Sequence, residues 1–129
     1  MTDLILCGAI IKQDDLIDKC IQSLKDHKFE KKYLLFDGPP GGKFQYEYDE
    51  YREYKARIKE EYPEFEIIEE DENLYYKPLL EKFIKENKDK LSENLLIIQD
   101  DVEVDPFNLE DILQVKKDKG DCKILYIGE

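Results

Sequence analysis

The sequence predicts an α/β fold, one mostly parallel sheet with helices packed on both faces. Three observations predict it. Short apolar runs alternate with longer amphipathic stretches along the chain. The purest run, Leu95 to Ile98, has no polar break, as a strand buried on both faces requires. The connections are short, so successive strands join through right-handed crossovers.

Residues 3–11 read as the first strand, apolar at Leu4, Ile5, Leu6 and Cys7 and again at Ala9, Ile10 and Ile11. Gly8 permits close backbone approach near its end. Asp14 or Asp15 can cap the next helix, whose stripe is Leu16, Ile17, Cys20, Ile21 and Leu24. His27 and Lys28 fall near its end, where positive charge suits the dipole. Residues 33–37, YLLFD, form a second strand running into Gly38 and the loop Pro39-Pro40-Gly41-Gly42.

A charged helix over residues 48–62 follows, with Tyr48, Tyr51, Tyr54 or Lys55, Ile58 and Tyr62 near helical spacing. Such a stripe packs into a core or forms a stacking platform, and core packing is the expectation. Pro63 ends it. Residues 65–69, FEIIE, make a third strand whose polar interruptions suit a sheet edge. Residues 71–73 turn, and Asn73 can cap a helix with Pro78 in its first turn and Leu79, Leu80, Phe83, Ile84 and Leu91 inward.

After the central strand, Pro106-Phe107-Asn108 opens a helix with Leu109, Ile112, Leu113 and Val115 inward and Gly120 closing it. Residues 123–127, KILYI, are a fifth strand. The polar third strand belongs at an edge and the two purest strands, first and fourth, at the centre. The expected order is therefore 3-2-1-4-5 in a single Rossmann-like, three-layer α/β/α domain over residues 1–129. Its switch point lies between the first and fourth strands. Residues 8–12, Asp37-Gly38 and Gln99-Asp100-Asp101 should therefore converge on one crevice, at the carboxyl ends of the strands where such folds bind ligands.

Composition narrows the chemistry. Twenty Lys and Arg against 32 Asp and Glu give a formal net charge of −12, which argues against a nucleic-acid or membrane surface. No run approaches transmembrane length and no secretory leader is visible at Met1-Thr2-Asp3. Cys7, Cys20 and Cys122 lack metal-ligand spacing, and reduced thiols in a cytoplasmic protein are the expectation. One histidine, two serines and one threonine nearly exclude a nucleophile–base triad. Neither G-x-G-x-x-G nor G-x-x-x-x-G-K-[ST] is present. An anionic diphosphate would then need a cation to meet this acidic chain. Asp100 and Asp101, emerging where the central strand ends, suit a hard divalent ion. Read alone, the same dipeptide is a strand end entering a turn.

Three stretches carry a resemblance: LILCGAIIKQDDLIDKCIQSL, YLLFDG and LLIIQDDVEVDP. Together they resemble the start of a GT-A fold nucleotide-diphospho-sugar glycosyltransferase. The resemblance implies that Asp37 matches the aspartate contacting the nucleotide base, and that Ala9, Ile10 and Ile11 line the nucleotide. Gln99-Asp100-Asp101 matches the family's D-x-D triplet. That implies Asp101, helped by Asp100, as ligand to Mn²⁺ or Mg²⁺, with glutamine in place of the first aspartate. Gln99 would offer an amide to the metal or ribose. Asn73 and Lys77 fall where the family has an asparagine and a basic residue near the nucleotide-sugar, and Tyr75 stands where a glycine is common. The alternatives are a helix cap for Asn73 and a solvated lysine for Lys77.

The resemblance spans nearly the whole chain but only the front half of the family's usual length. It implies a UDP- or GDP-sugar donor, an unassigned acceptor, and another domain or chain completing the site. The catalytic base stays unassigned, since Glu103 and Asp105 read as solvated turn residues. A non-catalytic module of the same fold is the second expectation. A receiver-like acidic pocket fits poorly, because its carboxylates belong at the ends of the first and third strands. Richness in Lys, Ile, Glu, Asp and Tyr fits an AT-rich genome, that of a large DNA virus or a low-GC microbe; for a virus the location would be the host cytoplasm.

Overall fold

In the computed structural model, residues 2–9, 16–25, 27–38, 48–99 and 124–127 are described. Their elements run β1 (Thr2–Ala9), α1 (Leu16–Ser23), β2 (Lys32–Phe36), α2 (Tyr48–Glu61), β3 (Glu66–Glu69), α3 (Tyr76–Asn87), β4 (Asn94–Gln99) and β5 (Ile124–Ile127). The strands form one sheet in the order β3-β2-β1-β4-β5, every pairing parallel. This is the predicted Rossmann-like order. The expected helix over residues 108–120 lies outside the described residues.

Alternation along each central strand builds two cores. Leu4, Leu6, Leu34, Phe36, Leu96 and Ile98 face one side and meet Ile17, Cys20, Ile21 and Leu24 of the α1 stripe with Tyr51, Tyr54 and Ile58 of α2. Ile5, Cys7, Tyr33, Leu35, Leu95 and Ile97 face the other side and meet Leu79 and Phe83 of α3. The sheet is thus covered on both faces, as runs without polar breaks demand. Each large apolar side chain so buried contributes about 1.5–3 kcal/mol. β3 is polar on both outer residues and only half-buried between them, which suits its edge place.

Tyr51, Tyr54 and Ile58 of the tyrosine stripe are core, and Tyr62 packs partly buried against it. Tyr51 and Tyr54 stack at 6.3 Å, and both meet Phe36 edge-on at 6.1 and 6.0 Å. Ion pairs trim the outside of α2. Arg57 reaches Asp18 of α1 at 3.3 Å, and Lys59 reaches Glu69 of β3 at 2.5 Å. Burial works to raise the Glu69 carboxyl, but the Lys59 hydrogen bond and the Lys55 and Lys59 charges outweigh it and hold it below the usual range. Surface pairs of this kind are each worth about 0–1 kcal/mol.

One expectation needs correcting. Asn73 does not cap α3. The N-cap residue is Tyr75, with no side-chain cap hydrogen bond, because Tyr75, which an Asn73 cap would need as a helical residue, has a φ of 64° and gives its N–H to Asp37 instead. Pro78 sits in the first turn of α3, where its missing N–H costs nothing. Leu91 lies beyond the helix but still packs on the α3 core.

Candidate functional site

The carboxyl edge of the sheet gathers the chain segments the sequence assigned to one crevice, as far as they are described. Cys7 of β1 lies between Leu35 of β2 and Gln99 of β4. One step on, the β1–β2 register shifts between Cys7 and Ala9, so that Ala9 partners Phe36. Gly8 occupies that irregularity. Bulges of this type re-aim a strand at the rim of a sheet.

Asp37 is the residue on which this edge is assembled. It follows β2, is 1% exposed, and both its carboxylate oxygens are occupied. The backbone N–H groups of Gly38 and Leu74 donate to Oδ1 at 2.8 and 2.7 Å, and that of Tyr75 donates to Oδ2 at 2.8 Å. A buried carboxylate is tolerable only when matched in this way. The match is made 37 and 38 residues along the chain, so Asp37 ties the end of β2 to the entry of α3.

Neighbouring groups tighten the joint. Asn73 Nδ2 donates to the Gly38 carbonyl at 2.9 Å, and the Tyr51 hydroxyl of α2 donates to the Asp37 carbonyl at 3.0 Å. A Cβ on Gly38 would lie 2.2 Å from the Glu72 carbonyl carbon, so only glycine lets the two chain segments approach. Glu70 N–H donates to the Phe36 carbonyl at 3.0 Å, extending the β2–β3 ladder to the same corner. Nearby, Lys82 of α3 pairs with Glu70 at 2.8 Å, and that hydrogen bond holds the ammonium above its usual range.

Tyr75 is held in a conformation that side chains avoid. Its φ of 64° and ψ of 167° lie in a region essentially reserved for glycine, at a cost of about 1–3 kcal/mol. Among the described residues no other non-glycine residue has a positive φ. The Asp37 bond fixes its N–H, and its carbonyl accepts the first α3 hydrogen bond from Leu79 N–H at 3.0 Å. Tyr75 as a whole is 72% exposed.

The sequence-predicted residues therefore divide. Asp37 and Asn73 are brought together at the joint, and Lys77 lies exposed in the first turn of α3, two residues beyond Tyr75. Ala9 and Gln99 are at the same edge by backbone register. Ile10, Ile11, Asp100 and Asp101 lie outside the described residues. Among the described residues no group of three His, Cys, Asp or Glu side chains could hold a metal ion. No described helix is long and apolar enough to cross a membrane.

Sequence reasoning missed two features. Tyr75 entered it only as a departure from glycine, not as a residue in the conformation glycine would take. Asp3 was not singled out, yet it is fully buried in β1 and accepts from Ser92 N–H and Ser92 Oγ, both at 2.7 Å. A lone charged residue inside an apolar strand was the signal available.

No protein-family model matches this chain, and no curated protein or solved structure matches it.

Proposed function

We propose that this chain is the donor-binding half of a GT-A-like glycosyltransferase, taking a nucleotide-diphospho-sugar at the carboxyl edge of its sheet. The observation that carries the reading is the Asp37 joint. It brings the end of β2, Asn73 and the entry of α3 to one corner, on the side of the sheet where parallel α/β folds bind nucleotides. The backbone supports the resemblance at a second point. Tyr75, standing where the family commonly has glycine, takes a glycine conformation.

In this reading Asp37 acts chiefly through the loop it positions, because three backbone donors already occupy its oxygens. Lys77 offers positive charge to the phosphates at the start of α3. Asp101 and Asp100 follow β4 in the chain, and hard carboxylates there suit Mn²⁺ or Mg²⁺. Such an ion would supply charge neutralisation of the departing diphosphate. Completion of the acceptor side by another domain or chain belongs to the same proposal.

The test is calorimetric titration of UDP, GDP and their sugar conjugates with and without Mn²⁺, repeated with Asp101→Ala. Metal-dependent binding that disappears in a folded Asp101→Ala variant is the expected result. Absence of binding to every one of these compounds refutes the reading. The engagement of Asp37 by the backbone favours a second reading, a non-catalytic module that keeps the fold. Binding without release of free sugar or transfer to any acceptor would select it.

A further inference from the structure

We infer that the ring of Tyr75 is a stacking surface for the planar base of a nucleotide at the carboxyl edge. The inference rests on the nucleotide reading above and names a residue that the resemblance leaves to glycine.

Folding gains nothing visible from this side chain. The backbone at Tyr75 is in a region that glycine occupies freely and tyrosine does not. Tyr75 is 72% exposed, and among the residues whose side chains are described no other large apolar side chain is exposed. Tyr33, Tyr51 and Tyr54, by contrast, are buried and packed. The conformation persists because Asp37 accepts from both Leu74 and Tyr75 N–H groups, and α3 begins on the Tyr75 carbonyl. A buried carboxylate thus holds an aromatic ring in water beside the edge where β1, β2 and β4 end.

The surroundings select the occupant. A protein partner would need a contiguous apolar patch, and among the residues whose side chains are described Tyr75 is the one exposed large apolar group. Two residues on, Lys77 is exposed and has no ion-pair partner among the described residues. An aromatic face followed by a cation matches a planar ring joined to phosphate. Stacking on a rigid aromatic is tolerant of base identity, because every base presents a π face.

Wild type, Tyr75→Phe and Tyr75→Gly would be titrated with UDP and GDP in the presence of Mn²⁺, and with inorganic pyrophosphate as a probe that lacks a ring. Phe keeps the face and should bind both nucleotides within about twofold of wild type. Gly should weaken both by roughly 5- to 150-fold, the range of one base–aromatic stack, and leave pyrophosphate unchanged. Thermal melting of Tyr75→Gly at or above wild type shows that its loss of binding is not a loss of fold. Equal nucleotide affinity in wild type and Tyr75→Gly overturns the stacking role while the donor site stands. Equal losses for nucleotide and pyrophosphate overturn it too, leaving a positioning role. Failure of wild type to bind either nucleotide overturns both the inference and the donor-site reading.

Discussion

Replacing Asp37 by Asn isolates what the joint is worth. The two side chains have the same shape, so packing is preserved. The amide oxygen can keep the Gly38 and Leu74 donors now on Oδ1. The amide NH₂ must then face Tyr75 N–H, which donates to Oδ2 at 2.8 Å, and a donor meets a donor. The variant loses one charge-assisted hydrogen bond and leaves buried donors unmatched, a cost of about 2–4 kcal/mol. Tyr75→Gly should act in the opposite direction. It relieves about 1–3 kcal/mol of backbone strain. It gives back about 0.5–1 kcal/mol through the greater freedom of glycine in the unfolded chain. Tyr75 is 72% exposed, so little burial is lost, and the net gain should be about 0.5–2 kcal/mol. The decisive quantity is their coupling. If Asp37 enforces the Tyr75 conformation, weakening the latch lets Tyr75 relax, and the glycine gain shrinks in the Asp37→Asn background. Urea unfolding followed by circular dichroism on all four proteins measures this, with a coupling of at least about 0.5 kcal/mol expected. Additivity within about 0.3 kcal/mol, or a Tyr75→Gly variant less stable than wild type, would refute the reasoning.

Two further perturbations follow from the same structure. Gly38→Ala places a Cβ 2.2 Å from the Glu72 backbone, and should destabilise by about 3 kcal/mol or more in the same urea assay. Tyr62 predicts an alkaline transition. Burial, then its hydrogen bond to Asp18 and the Asp18 and Glu61 charges, push its phenol from 10.0 to about 12. A raised pKa means the folded state holds the proton more tightly. The stability Tyr62 contributes is therefore intact below pH 10 and lost as pH rises from 10 through 12. Screened at a half-buried site, that amounts to about 1–2 kcal/mol, so the gap between wild type and Tyr62→Phe should close over this window in denaturant titrations.

The order of the sheet was legible because polarity is local. The glutamates flanking Ile67 and Ile68 exclude a central place for β3, and the unbroken runs in β1 and β4 require one. The tyrosine stripe of α2 was legible for the same reason, since spacing alone puts Tyr51, Tyr54 and Ile58 on one face. The joint was not. Asp-Gly after a strand reads as a turn, a ligand contact or a latch, and what separates these is a partner 37 residues away. Asn73 shows the competition directly. The local rule makes it a helix cap, but the Tyr75 N–H such a cap would accept goes to Asp37 instead, and α3 starts two residues later on Tyr75. The Tyr75 conformation left no local mark, because positive φ is signalled by glycine or asparagine and a tyrosine there contradicts the signal.

Asp3 and Asp37 together explain how α3 is placed, and they should respond differently to the same substitution. The apolar face of α3 is narrow, with Leu79 and Phe83 buried and Leu80 and Ile84 only partly so. Its ends are fixed by carboxylates instead. Asp37 holds Leu74 and Tyr75 at the entry, and Asp3 holds Ser92 after the exit. The chemistry of the two clasps differs. Asp37 faces only backbone N–H groups, which cannot reverse. Asp3 faces one backbone N–H and one hydroxyl, and a hydroxyl can accept as readily as it donates. In Asp3→Asn the amide oxygen keeps Ser92 N–H while the new NH₂ donates to Ser92 Oγ, so both contacts survive without the charge. The cost should be about 1 kcal/mol, below that of Asp37→Asn, although Asp3 is buried just as fully. Ser92→Ala in the Asp3→Asn background removes the reversible partner and should restore a penalty of about 1–3 kcal/mol for the orphaned amide. An Asp3→Asn variant as unstable as Asp37→Asn would show that burial, rather than the reversibility of the donors, sets the cost.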